Sequence, residues 1–373
     1  MKHFWKHTLA ILLTLALLTG LTACGKKPES TPSSSEPAPS SSETVSTPET
    51  NPTLDGSVNP LTGLDENWTE EMAGQFTGIM VANNSIARPQ YGITKADWIV
   101  ESEAEGGITR MMLIFADSTL VPAEVCPVRS ARSHFVKIAD SLHLNYVHAG
   151  GSVKGDEQLK KSTQLTDINA LAYDGTTFWR NEDLKKNKGL EYSLMASGER
   201  LTKHIKKLKG ENLDATPFTP AYQFGEITES NDAKVVQARL TGAQTVHFIY
   251  DETKGQYLKS NGAIGSNRPH VDAAGAQIAT DNILFLYDEL YKETYDDGTE
   301  IGTISFTLEQ GKGKAITKGT QQDIQWKRTA NGLQFTDSKG APLTLSKGKT
   351  YICLMNQAYA SSVKTGATVA DIQ

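Results

Sequence analysis

The apolar run from Thr8 to Leu21, interrupted by a single glycine at Gly20, lies behind a start carrying Lys2 and Lys6. It is too short to span a bilayer as a stable helix, and with its basic flank it reads as the core of a secretory signal. Beyond it, from Gly25 to about Leu54, the chain is Ser, Pro, Thr and Glu with almost no apolar residue. Such a stretch cannot bury enough surface to offset the entropy of ordering, so it reads as a disordered tether. Everything that folds must therefore come from the remaining ~320 residues, enough for two domains.

The signal ends in Leu21-Thr22-Ala23-Cys24-Gly25. This resembles the bacterial lipobox, which implies a diacylglyceryl group on Cys24 as the first residue of the mature chain. Two acyl chains at about 0.8 kcal/mol per buried CH₂ hold a protein durably on a membrane surface. The expected organisation is a signal at 1–23, the lipidated cysteine and tether at 24–54, an α/β domain at 55–232 and a β-rich domain at 233–373.

Removing the signal takes away two lysines and no acid, so 35 basic residues remain against 43 acidic ones, net −8. That balance argues against nucleic acid as a partner. Besides Cys24 there are Cys126 and Cys353, far apart and without CxxC spacing, so no metal site is expected. No P-loop, HExxH, GxSxG or dinucleotide fingerprint is present, and no cofactor is predicted.

Three apolar stretches read as strands: Phe76 to Ala82, Trp98 to Glu103, and Arg110 to Ala116, the last fit for a buried centre. Tyr146 to Ala149 is a shorter candidate. Ser133 to Leu142 and Ser197 to Leu208 carry apolar residues at helical spacing, the second with a lysine-rich last turn that suits the helix dipole. This mixture predicts a mixed sheet with flanking helices. After about Ala233 the chain becomes short strands between Gly, Asn and Asp turns, among them TVHFIYD, NILFLYD, IQWKR and TYICLM. That texture predicts a mostly antiparallel β domain.

Candidate chemistry centres on CPVRSARSHF, Cys126 to Phe135. Of nine arginines, Arg88, Arg110, Arg129 and Arg132 fall between residues 88 and 132, while lysine is used 28 times. The planar guanidinium fork suits carboxylate and phosphate. Arg129 and Arg132 sit where a helix is about to start, with Ser130 or Ser133 as expected N-cap. Cations there are unfavourable by about 0.3–1 kcal/mol each unless negative charge is near. Either the chain supplies it through Glu101, Glu103, Glu105 or Glu124, or the arginines, Ser130 and the helix N–H groups take an external anion.

Nearby lie Gly106-Gly107 and Gly150-Gly151, each after a candidate strand, where ligands gather in open α/β sheets. His148 is a candidate acid, base or ligand, or a hydrogen-bonded core residue. Asp97 opens its strand and could hold a metal, orient an arginine or cap the edge. In NRPHVD, alternation places His270 and Asp272 on one strand face, as a metal or acid/base pair or part of a structural turn.

Together NPLTGL (Asn59 to Leu64), ARPQYGITKADWIVE (from Ala87), EGGITR, CPVRSARSHF and YVHAGGS resemble the N-terminal part of the YerB-like lipoproteins, and YLKSNG, RPHVD, NILF and WKR its C-terminal part. The resemblance covers nearly all of the mature chain. It implies a two-part protein of Gram-positive cell envelopes at the outer face of the cytoplasmic membrane, with wall-synthesis or division proteins as partners, and supplies no catalytic residues. Tyr192 in LEYSLM stands where relatives tend to have histidine. A weaker similarity is to the LytR-CpsA-Psr phosphotransferases, through the order of Asp97, the strand from Arg110 to Phe115, and Pro127 to Arg132. It implies an enzyme acting on a polyprenyl-pyrophosphate-linked wall precursor, yet Lys95-Ala96 stand where an arginine is expected before the aspartate.

Overall fold

The computed structural model describes residues 58–65, 68, 75–211, 213–216, 218 and 222–372. The expected signal, Cys24 and the tether lie outside them.

The described chain is organised around one ten-stranded sheet. Its first half contains β1 (Thr77–Ala82), β2 (Trp98–Glu105), β3 (Ile108–Phe115), β4 (Asn145–His148) and β5 (Thr166–Asn169). β1, β2 and β3 are buried on both faces almost throughout, which is why they read as continuous apolar runs. β2 and β3 form a hairpin whose two-residue loop is Gly106-Gly107, with φ of 60° and 72°. Two successive left-handed residues suit the twist of a tight hairpin and are tolerated by glycine, so this pair is turn chemistry.

β1, β4 and β5 run parallel; α1 (Ser133–Ser141) leads from β3 into β4, and α2 (Val153–Lys161) joins β4 to β5. The helix expected from Ser133 is α1, although Arg132 rather than a serine occupies its N-cap. Ser133 instead donates its hydroxyl to Glu293. α3 (Glu182–Lys188) and α4 (Gly198–Lys209) are the other α-helices among the described residues; α4 matches expectation and Ser197 caps it.

The second part is mostly antiparallel, as predicted. Strands Asn282–Asp288, Gln310–Thr317, Thr320–Thr329 and Gly332–Asp337 extend the same ten-stranded sheet. Strand Thr350–Asn356 inserts between Asn282–Asp288 and β2, parallel to both. A separate five-stranded antiparallel sheet, from Val235–Arg239 to Lys364–Gly366, covers one face of the large sheet together with α4. α1 and the hairpin of Leu290–Thr294 with Glu300–Phe306 cover the other. Trp326, on strand Thr320–Thr329 of the large sheet, is buried in the core on that second face.

Candidate functional site

The arginines gather at the carboxyl ends of β1 and β4. The extended segment before α1 is held there by Arg129 N–H donating to Met80 and by Ala149 N–H donating to Arg129. Glu105 stands at the centre. Its carboxylate takes bonds from Arg132 Nε (2.6 Å) and Nη2 (2.5 Å) and from Arg110 Nη2 (3.2 Å). Arg110 also donates to the Ser130 carbonyl (2.7 Å), and Arg132 to the Ala131 carbonyl (2.8 Å). Arg129 reaches away, donating to the Glu191 carboxylate at 2.9 Å and lying over the Tyr192 ring at 5.3 Å.

Why Glu105 and not Glu101 or Glu103 follows from the register. Alternation places Glu101 and Glu103 on the face away from Arg110, whereas a bulge between Glu103 and Glu105 turns the last carboxylate back toward it. The chain thus supplies two carboxylates to the helix start, Glu105 on the arginines and Glu293 on Ser133. Arg110 and Arg132 share Glu105, while Arg129 pairs with the largely exposed Glu191. Burial, then Arg132, push the Arg110 guanidinium down to about 10, with Glu105 opposing. Arg132, Arg110 and Arg129 all draw the Glu105 carboxyl below its usual range despite the burial that would raise it. Among the described residues, the Arg129 Nε and the buried Tyr146 hydroxyl, whose ring stacks on His148, have no hydrogen-bond partner. Two arginines are nearly inaccessible while Arg129 is 19% exposed, so an anion would approach from the Arg129 side.

His148 lies beside this cluster, but its ring is taken up by the Gly150 carbonyl (2.8 Å) and Asp167 (2.6 Å), which tie β4 to β5. Asp97 is elsewhere. β2 pairs Trp98 with Ile114 and Ser102 with Arg110, so Asp97 sits about 17 Å along the sheet from Arg110. It is buried, accepts from Ala116 N–H (2.8 Å) and Asn59 (3.1 Å), and burial raises it to about 6. The arrangement implied by the phosphotransferase similarity, an aspartate working beside these arginines, is not formed.

His270 and Asp272 do not work as a pair either. Asp272 accepts from Ala274 and Ala276 N–H and from Thr94, closing a turn. His270 belongs to a buried cluster that sequence reasoning missed. Lys259 Nζ lies 2.9 Å from His270 Nδ1 and 3.5 Å from Glu101, which also takes bonds from Asn83, Thr109 and Tyr351; Gln90 closes the ring on His270. Burial lowers Lys259 against the pull of Glu101. Glu101 keeps its charge, held down by Lys259, Thr109 and Tyr351 against burial. The available signal was a lysine on the inward side of an alternating strand, matched by a glutamate inside WIVESE. Both are fully buried and join the two parts of the chain, so the cluster is a lock rather than an opening. Cys126 and Cys353 are free and buried.

A parallel β1–β4–β5 unit carrying an arginine cluster, interlocked with an antiparallel β part, defines a two-part α/β-plus-β protein. Residues 61–211 match the N-terminal domain model, and 236–352 the C-terminal domain model, of the family described as a protein of unknown function, DUF3048. The chain is 30% identical over 321 residues to a protein of Bacillus subtilis (strain 168) named as a lipoprotein, YerB, spanning 83% of this chain and 89% of that one. The crystal structure of YerB from Bacillus subtilis superposes with a TM-score of 0.67 at 27% identity, covering 83% of this chain and 99% of that one. The chain belongs to the YerB-like DUF3048 family.

Proposed function

We propose that this is a lipoprotein held on the outer face of the cytoplasmic membrane by a diacylglyceryl Cys24, whose folded part binds an oxyanion, phosphate or carboxylate, through Arg110, Arg129 and Arg132. The anchor rests on the lipobox and on the name of the Bacillus subtilis relative. One observation carries the binding reading: two guanidinium groups, those of Arg110 and Arg132, share a single partly buried carboxylate at the carboxyl ends of parallel strands, with Arg129 beside them at the more exposed edge. That is where ligands enter open α/β sheets, and the Arg110 and Arg132 guanidinium groups, which share one carboxylate, are already desolvated. The ligand in the cell is then an anionic wall precursor or the acidic surface of a wall-synthesis or division protein. Cys24→Ala releases the chain from membranes into the medium, and membrane retention of that variant contradicts the anchor. Calorimetric titration of the full chain in detergent with inorganic pyrophosphate gives saturable binding that Arg129→Ala weakens at least tenfold. Equal heats for both contradict the site.

A further inference from the structure

The outer strands of the large sheet carry a second feature. Gln310–Thr317, Thr320–Thr329 and Gly332–Asp337 turn one face to the core around Trp326 and the other to an open groove of about 510 Å³. On that other face Ile316 is still buried, in the core shared with the five-stranded sheet. Toward Gln310 the cover ends and the alternate positions become polar.

Strand register lays the groove out in two rows. Gln310, Lys327 and Gln334 stand side by side across the three strands, and Lys312, Gln325 and Thr336 form the next row. The two lysines are diagonal neighbours, with Cα atoms about 7–8 Å apart. Among the described residues no carboxylate lines the groove. Asp323 stands one row further on, where Lys314 pairs with it at 3.1 Å. Among the described residues, none of the six groove side chains has a hydrogen bond or an ion pair, so two full positive charges stand unanswered in a chain with an excess of acid.

The chemistry of these side chains selects the occupant. The two ammonium groups call for negative charge, and three amides, which donate and accept at once, match hydroxyl groups that do the same. A single-stranded nucleic acid would need aromatic faces to stack on, and the one aromatic ring here, Trp326, is buried and donates its Nε1 to the Lys312 carbonyl at 3.1 Å. An acidic polypeptide would bring apolar side chains to a surface that offers them none.

We infer that this open face of the outer three strands binds an acidic glycan, with Lys312 and Lys327 taking its carboxylates and Gln310, Gln325 and Gln334 its hydroxyls. The site is separate from the arginine cluster and stands or falls apart from it. The test uses the full chain carrying Cys24→Ala, so that no acyl group contributes, in affinity electrophoresis through gels containing polygalacturonate, polyglutamate or neutral dextran. Polygalacturonate retards the chain strongly, whereas polyglutamate, which has the charge without the hydroxyls, and dextran, which has the hydroxyls without the charge, do not. Lys312→Gln with Lys327→Gln lowers the affinity for polygalacturonate roughly tenfold and flattens its salt dependence. Gln325→Glu, which sets a carboxylate opposite Lys312 at an exposed position, has the same effect. Lys203→Gln, on the exposed side of α4, and Arg129→Ala change nothing. Equal retardation of the parent and the double lysine variant overturns the inference, as does equal retardation by polyglutamate or a loss seen in Arg129→Ala instead. Matching circular dichroism spectra and melting temperatures for all variants exclude misfolding as the cause of any loss.

Discussion

At the residue scale, this fold settles its charges by register. A one-residue bulge decides that Glu105 meets the arginines while Glu101, four residues earlier, meets Lys259 on the opposite face. The composition of CPVRSARSHF showed where cations collect. It could not show which carboxylate answers them, because four candidates lay within reach and a bulge has no residue signature there. Asp97 supplies a pH prediction. Its pKa is raised from 3.8 to about 6, so the folded state holds its proton more tightly than the unfolded state. The associated stability is complete below about pH 4 and is lost as pH rises through about 6, a swing of roughly 3 kcal/mol. Unfolding free energies of Asp97→Asn and the parent, measured by urea titration from pH 4 to pH 7, therefore shift in the variant's favour by up to that amount. A difference that stays constant across this range contradicts the assignment.

At the element scale, apolar strands announced themselves and polar helices did not. Every strand of the first part read from sequence is present within two residues of its expected ends, because burial on both faces demands apolar runs. α2 was missed: VKGDEQLKK contains one leucine and an internal glycine, and the helix packs Gly155 against the Ala131 backbone. Gly198, the first residue of α4, shows the same close approach. A Cβ there would lie 2.1 Å from the Val121 carbonyl oxygen, which is backbone and cannot swing aside. Gly198→Ala should therefore cost about 1–3 kcal/mol, read as a lowered melting temperature. An unchanged melting temperature would mean that α4 does not dock on the turn at Ser118–Leu120 as described.

At the scale of the whole molecule, two parts that differ in sequence texture share one sheet. The texture change near Ala233 was visible; the insertion of Thr350–Asn356 beside β2 was not, since that pairing spans some 250 residues and depends on no local pattern. A consequence is mutual dependence. A chain ending at Ser346 loses the strand that flanks β2 and the Tyr351 hydroxyl that donates to Glu101. It should show no cooperative urea transition by tryptophan fluorescence, whereas survival of such a transition would mean that the first part folds alone.

The arginine cluster is built at the seam of these scales, with β2 and β3 fixing Glu105 and Arg110 and α1 fixing Arg132. Its own carboxylate competes with any external anion for the same two guanidinium groups. Replacing it is the most direct test. In pyrophosphate titrations of the full chain in detergent, Glu105→Gln binds more tightly than the parent because Arg110 and Arg132 lose their internal partner, and Arg129→Ala binds more weakly. If Glu105→Gln stays folded by circular dichroism yet binds pyrophosphate no better than the parent, the cluster is a closed ion-pair network and the account of an anion site is wrong.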